Sequence, residues 1–235
     1  MSLVKPPEGL RTLSDPVEGA TRIVLVRHGQ GFVNVEGRMG GQIGCSGLTD
    51  EGRSQVSALA TRLESTGELR DATNLLASIL PRAVQTAEIL APALGMTSED
   101  ILQECGLCEL HPGEADNLIW EDYVERYGAP DWDADPSVPI APGGESWVSF
   151  VDRVGSSLDD IVARYPGGRV VIATHAGFIE SSLLRFLVGS PEGSAHRRLR
   201  LQTKHASMTE WEHSDIGWRL LRYNDATVVE ERSSS

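Results

Sequence analysis

Two short clusters hold the residues best suited to chemistry: Arg27-His28-Gly29 and Thr174-His175-Ala176-Gly177. An imidazole can serve as base, metal ligand or nucleophile. A guanidinium neutralises an oxyanion and binds it with two parallel donors, and a glycine lets the backbone turn sharply beside a ligand. Arg82 is a third candidate, because Pro81 suits the first turn of a helix and the exposed N–H groups there reinforce a cation in holding an anion. A polar stretch from Ile101 to Asp122 adds His111 and the carboxylates Glu109, Glu114 and Asp116, any of which could move a proton.

What precedes each cluster explains why it is displayed. Ile23 to Val26 and Arg169 to Ala173 are β-branched and apolar runs, the pattern of parallel strands buried on both faces. Ligands bind past the carboxyl ends of such strands. Two strands that each end in a histidine can therefore set two imidazoles and Arg27 around one point. Helical spacing of Val56, Leu59, Ala60 and Leu63 predicts a helix opened by Thr49-Asp50-Glu51-Gly52 and closed by Gly67. Asn74–Ser78 reads as a short strand, followed by the helix that carries Arg82. Further helices are predicted over Trp120–Tyr127, Glu145–Tyr165 and Phe178–Val188, and two strands within Leu199–Leu221 joined near His213-Ser214-Asp215. Residues 101–122 read as loop apart from the start of the Trp120 helix. The proline-rich stretch Asp131–Pro142 reads as an irregular excursion of the kind that covers sites. The expected organisation is an irregular arm (1–20), one catalytic domain (21–222) and a solvated tail (223–235).

Composition removes several functional classes. A net charge of −13 argues against a nucleic-acid surface or an anionic membrane partner. No apolar run approaches a membrane span, and residues 1–20 lack the apolar region of a signal peptide, so a cytoplasmic location is expected. Three cysteines cannot build a disulfide framework. Cys105-x-x-Cys108 with His111 resembles half of a metal site, but structural zinc takes four ligands, so these thiols read as incidental and no metal is assigned. Gly29-x-Gly31-x-x-Asn34 falls one residue short of a dinucleotide fingerprint, and its glycines run on where a helix should open. His196, His205 and His213 lie in surface-like sequence and receive no role.

Taken in order, the motifs resemble the histidine phosphatase superfamily, in its phosphoglycerate-mutase-like branch. They are Arg27-His28-Gly29 with Asn34, Leu48-Thr49-x-x-Gly52, Ser78-x-Leu80-x-Arg82-Ala83-x-Gln85-Thr86-Ala87, Leu107-x-Glu109 with Gly113, Gly144-Glu145-Ser146 and His175-Ala176-Gly177. The resemblance implies an α/β fold, a three-layer α/β/α sandwich around a mostly parallel central sheet. It also implies cofactor-free and metal-free phosphoryl transfer through a phosphohistidine. His28 would be the nucleophile, with Arg27, Arg82 and His175 on the phosphate and Asn34 adding a hydrogen bond. Glu109 would donate the proton to the leaving group, with Glu114 and Asp116 as alternatives. The implied partner is a small phosphomonoester. A phosphatase is preferred to a mutase because the glycine-rich loop Gly37–Gly47 has Arg38 as its only cation and no tryptophan. A module that binds phosphorylated ligands without turnover would be expected to lack His28 or the acid. Cys45, Gly31 and Asp116-Asn117 depart from the family's usual residues at the pocket mouth, and Phe32, Ile43 and Trp120 could contact the organic part of a substrate or simply pack.

Overall fold

A computed structural model describes residues 17–188 and 201–227. The first 16 residues, His196 and the end of the tail lie outside the described residues. A single six-stranded sheet runs β3-β2-β4-β1-β5-β6. Its strands are β1 (Thr21–Arg27), β2 (Asn74–Ser78), β3 (Ile101–Glu104), β4 (Arg169–Thr174), β5 (Met208–Ser214) and β6 (Gly217–Asp225). The pairs β1–β4, β2–β4 and β2–β3 are parallel, whereas β1–β5 and β5–β6 are antiparallel.

Alternation along the central strands creates the layers. Val24 and Val26 face one side, with Leu75, Ala77, Val171 and Ala173. There they meet Val56, Leu59 and Leu63 of α2 (Asp50–Thr66) and Ala87 and Leu90 of α3 (Pro81–Leu90). Ile23, Leu25, Leu76, Val170 and Ile172 face the other side. They pack on Phe150, Val154, Leu158 and Ile161 of α5 (Trp147–Arg164) and Phe178, Ile179 and Leu183 of α6 (Ala176–Leu183). Each fully buried aliphatic or aromatic side chain contributes roughly 1.5–3 kcal/mol. That burial on both faces is what holds the strand ends rigid.

Local signals end the helices where the sequence predicts. Thr49 Oγ1 accepts the Gly52 N–H at 3.0 Å, and Gly67 closes α2 at φ 67°. Pro81 is the first residue of α3, and Ser146 caps α5 by accepting the Ser149 N–H at 3.2 Å. Two shorter helices complete the set: α1 (Phe32–Glu36), which carries Val33 and Asn34, and α4 (Trp120–Tyr127), whose Tyr123 packs on Ala115, Ile140 and Ala141.

Three expectations need correction. Ile101–Glu104 is not loop but an edge strand paired to β2, too short and too polar to announce itself. The last predicted helix starts earlier, at Ala176, and passes into a π-helical turn at Leu184–Val188. The final strand runs on to Asp225 instead of stopping near Leu221. No helix among the described residues is long and apolar enough to cross a membrane.

Candidate active site

The register of β1 on β4 sets Arg27 opposite Thr174, so the next residue on each strand is a histidine. The His28 and His175 rings consequently lie 5.1 Å apart, edge to face, and both are buried. Arg82 reaches the same point from the first turn of α3.

Hydrogen bonds fix the state of His28. Its Nδ1 lies 2.6 Å from the Gly29 carbonyl oxygen, which only accepts, so Nδ1 carries the proton. Arg82 Nε donates to His28 Nε2 at 3.1 Å, so Nε2 holds a lone pair. Burial pushes the His28 pKa well below its ordinary value, and Arg82 and Arg27 push the same way. The ring is therefore neutral, with its free nitrogen pointed at a guanidinium. His175 is also held well below the ordinary value, by burial first and then by Arg82 and His28. Its Nε2 meets Ser78 Oγ at 2.8 Å, and its buried Nδ1 has no hydrogen-bond partner.

The two arginines are bound to neutral groups. Arg82 Nη1 donates to the Gly40 carbonyl at 2.9 Å, and Arg27 donates to the Thr203 carbonyl and, at 2.9 Å, to His205 Nε2. Among the described residues neither has a carboxylate at ion-pair distance. Burial lowers the pKa of Arg27, opposed at longer range by Glu109 and Glu180. Glu180, on α6, is itself raised by burial and by the charge of Glu109.

Glu109 comes from the loop after β3, and its Oε2 accepts the Gly177 N–H at 3.0 Å. A Cβ on Gly177 would stand 2.2 Å from Glu109 Oε1, so only glycine allows this approach. The loop is held from behind by Arg153 of α5, whose guanidinium donates to the carbonyls of Gly106, Cys108 and Glu109 and pairs with Glu145 at 2.7 Å. The other two acids point elsewhere. Asp116 accepts the Gly41, Ile43 and Gly44 N–H groups at 2.8–3.0 Å and so pins the glycine-rich loop. Glu114 accepts from the Tyr127 hydroxyl at 3.0 Å.

A cavity of about 330 Å3 opens onto these groups. Arg27, His28, Asn34, Arg82 and Glu109 line one side, while Met39, Leu110, Trp132, Ile140, Trp147 and Phe150 line the rest. His175 sits behind the lining, adjacent to Ala176 and Gly177. Asn34 Oδ1 accepts the Gly31 N–H at 2.9 Å, which leaves its amide nitrogen as the donor. Phe32, Ile43 and Trp120 are not in this wall; they are 43%, 80% and 50% exposed.

His205 lies in surface-like sequence, yet its ring lies 5.9 Å from His28. Burial and Arg27 lower its pKa to about 4, so it accepts from Arg27 as a neutral ring. The signal was indirect. β5 pairs antiparallel to β1 with Met208 opposite Val26, so the residues before Met208 must run past Arg27. Arg153, and the contacts of Ser78 with His175 and Cys108, are equally indirect, since they depend on which loops the fold brings together.

A neutral imidazole lone pair flanked by two uncompensated guanidiniums and a nearby carboxylate is an arrangement for phosphoryl transfer. Comparison with known proteins agrees. In fold the chain matches a mycobacterial glucosyl-3-phosphoglycerate phosphatase solved in complex with VO3, with a TM-score of 0.70 and 28% identity over 87% of this chain and 98% of that one. In sequence it is 33% identical to a metal-independent phosphoserine phosphatase of Arabidopsis thaliana, over 74% of this chain and 71% of the relative. It is 32% identical to a probable phosphoglycerate mutase, GpmB, of Salmonella paratyphi C (strain RKS4594), over 84% and 89% respectively. Residues 23–226 match the histidine phosphatase superfamily (branch 1), and the chain belongs to that family.

Proposed function

We propose that the protein is a metal-independent phosphomonoesterase acting on a small phosphorylated metabolite through a phosphohistidine at His28, with the catalytic domain expected over residues 21–222 extended to Asp225 by the last strand. The observation that carries this reading is the state of His28: neutral, buried, and with Nε2 as its only free nucleophilic atom. Nε2 attacks phosphorus in line, forming the N–P bond as the bond to the leaving oxygen breaks. Glu109 gives that oxygen its proton. The Arg82 donor moves from Nε2 to a phosphoryl oxygen, joined by Arg27 and by His175 through Nδ1, while Asn34 adds a neutral donor. Water, losing its proton to Glu109, then attacks phosphorus and returns the lone pair to Nε2. Stabilising the equatorial oxygens is most of what such a transfer asks of a protein.

The wall formed by Trp132, Ile140, Trp147 and Met39 favours a substrate with apolar or planar surface next to its phosphate. A mutase would need a second anion site. The remaining cation on the cavity, Arg38, is already paired with Glu36 at 2.7 Å. The decisive experiment is hydrolysis of an aryl phosphate in excess EDTA by wild type and His28→Ala. Phosphate release by wild type that falls by about 10⁴-fold or more in the variant supports the mechanism. Activity surviving in His28→Ala removes it.

A further inference from the structure

We propose that Cys105, Cys108 and His111 form a binding site for one divalent cation of the zinc class, separate from the phosphoryl-transfer groups and connected to His175 through Ser78. Their three ligand atoms lie within 4.8 Å of one another. Cys105 Sγ and His111 Nε2 are 3.5 Å apart. A tetrahedral zinc ion with ordinary Zn–S and Zn–N bonds sets sulfur and nitrogen about 3.5 Å apart, so that edge of the polyhedron already exists.

The surroundings favour a metal over a simple dithiol. A disulfide would use the two sulfurs and leave the histidine without purpose. Here the other ring nitrogen of His111, Nδ1, faces Glu145 Oε2 at 3.8 Å, and that carboxylate is held in turn by Arg153 and by the His111 N–H. A carboxylate behind a histidine is the usual device for orienting a metal-binding imidazole. Cys105 is exposed and the cluster borders a cleft lined by Gly41, Gln42 and Ile43, which gives an ion and a water in the fourth position a way in. Binding forms two metal–sulfur bonds and one metal–nitrogen bond and releases the two thiol protons to solvent.

Occupancy has a route to the catalytic groups. Cys108 Sγ lies 3.2 Å from Ser78 Oγ, which lies 2.8 Å from His175 Nε2. Ser78 Oγ donates to Cys108 Sγ, and while Cys108 keeps its thiol proton the pair can also reverse, which turns the serine proton to His175 Nε2 and leaves the ring proton on Nδ1, the atom that donates to phosphate. A metal-bound thiolate only accepts, so occupancy removes that second arrangement: Ser78 then accepts from His175 Nε2–H and the neutral ring carries no proton at Nδ1. The bound ion therefore slows turnover. Binding stands apart from the proposed phosphatase activity, whereas this inhibition rests on it.

The test titrates the metal-free full-length protein with Co²⁺. One equivalent should bring up thiolate-to-cobalt absorption in the near ultraviolet with tetrahedral bands in the visible, displaced by one equivalent of Zn²⁺. Cys105→Ser should abolish these bands, and His111→Ala should weaken binding about tenfold or more. Both substitutions are at least partly exposed, and circular dichroism confirms that the variants fold. Absence of the bands in wild type, or their persistence in both variants, overturns the site whether or not the protein is a phosphatase. With an aryl phosphate, Zn²⁺ should inhibit wild type and spare Cys105→Ser. Equal inhibition of the two would place the ion on the catalytic imidazoles and overturn the relay.

Discussion

Arginines do opposite work at two places in this molecule. On β1, β4 and β6 and the adjoining α2, Arg22, Arg62, Arg169 and Arg222 form a continuous ion network with Glu68, Glu210, Glu212 and Asp225, at distances down to 2.7 Å. At the carboxyl edge of the same sheet, Arg27 and Arg82 are just as enclosed but touch only carbonyls and imidazoles. Removing a charge from water is costly unless another charge answers it. The network answers internally and stabilises the fold. The strand-end pair has no carboxylate at contact distance, with Glu109 and Glu180 acting on Arg27 only at longer range, so its donors remain available to an anionic group of a substrate.

The largest expected effect separates these two classes directly. Arg82→Gln should lower kcat/KM for an aryl phosphate by about 10³-fold, in line with other arginines that stabilise a transferring phosphoryl group. Its thermal midpoint should fall little or rise, since the native charge has no carboxylate to lose. A large loss of stability with modest kinetic change would erase the distinction. Next comes Glu109→Gln, which should cost about 10²-fold or more with an alkyl phosphate and far less with an activated aryl phosphate, whose leaving group needs no proton. Equal losses on both substrates would remove the case for a general acid there.

Arg62→Met probes the network itself. Its side chain is 10% exposed and answers both Glu68 and Asp225, so the variant should lose about 2 kcal/mol in denaturant unfolding with unchanged kcat. The smallest effect concerns pH. The folded pKa values of His28 and His175 lie well below 6.5, so the unfolded chain binds more protons just below that pH. Their contribution to stability is complete above 6.5 and is lost as pH falls toward the folded values. Unfolding midpoints should thus decline on acidification below 6.5 and less steeply in His175→Gln, while kcat/KM holds until His28 itself protonates.

The edge proposed to be catalytic was more legible in the sequence than the network. Buried strands announce themselves by continuous β-branched runs, and Arg27, His28 and His175 are adjacent to those runs in the chain. Arg82 was legible because Pro81 marks a helix start. The network was not, because its charges sit on residues scattered from 22 to 225, and only the antiparallel pairing of β5 with β1 and β6 brings them together. His205 was hidden by the same pairing. Residues 105–111 were legible as a motif but not as a place, since the distance from Cys105 to His111 depends on a single 3₁₀ turn at Cys105–Leu107.

The cavity wall divides by origin. The groups proposed to handle phosphate mostly stand on strand ends and a helix start, all anchored in the two cores. Trp132 and Ile140 come instead from the irregular stretch between α4 and α5, outside those cores. Exchange of residues 128–142 for a segment of another length would then change which molecules are admitted while leaving the phosphoryl-transfer groups in place. Substrate preference would then be transplantable in the part set by Trp132 and Ile140, and descendants of one ancestor could diverge in diet without reinventing their chemistry.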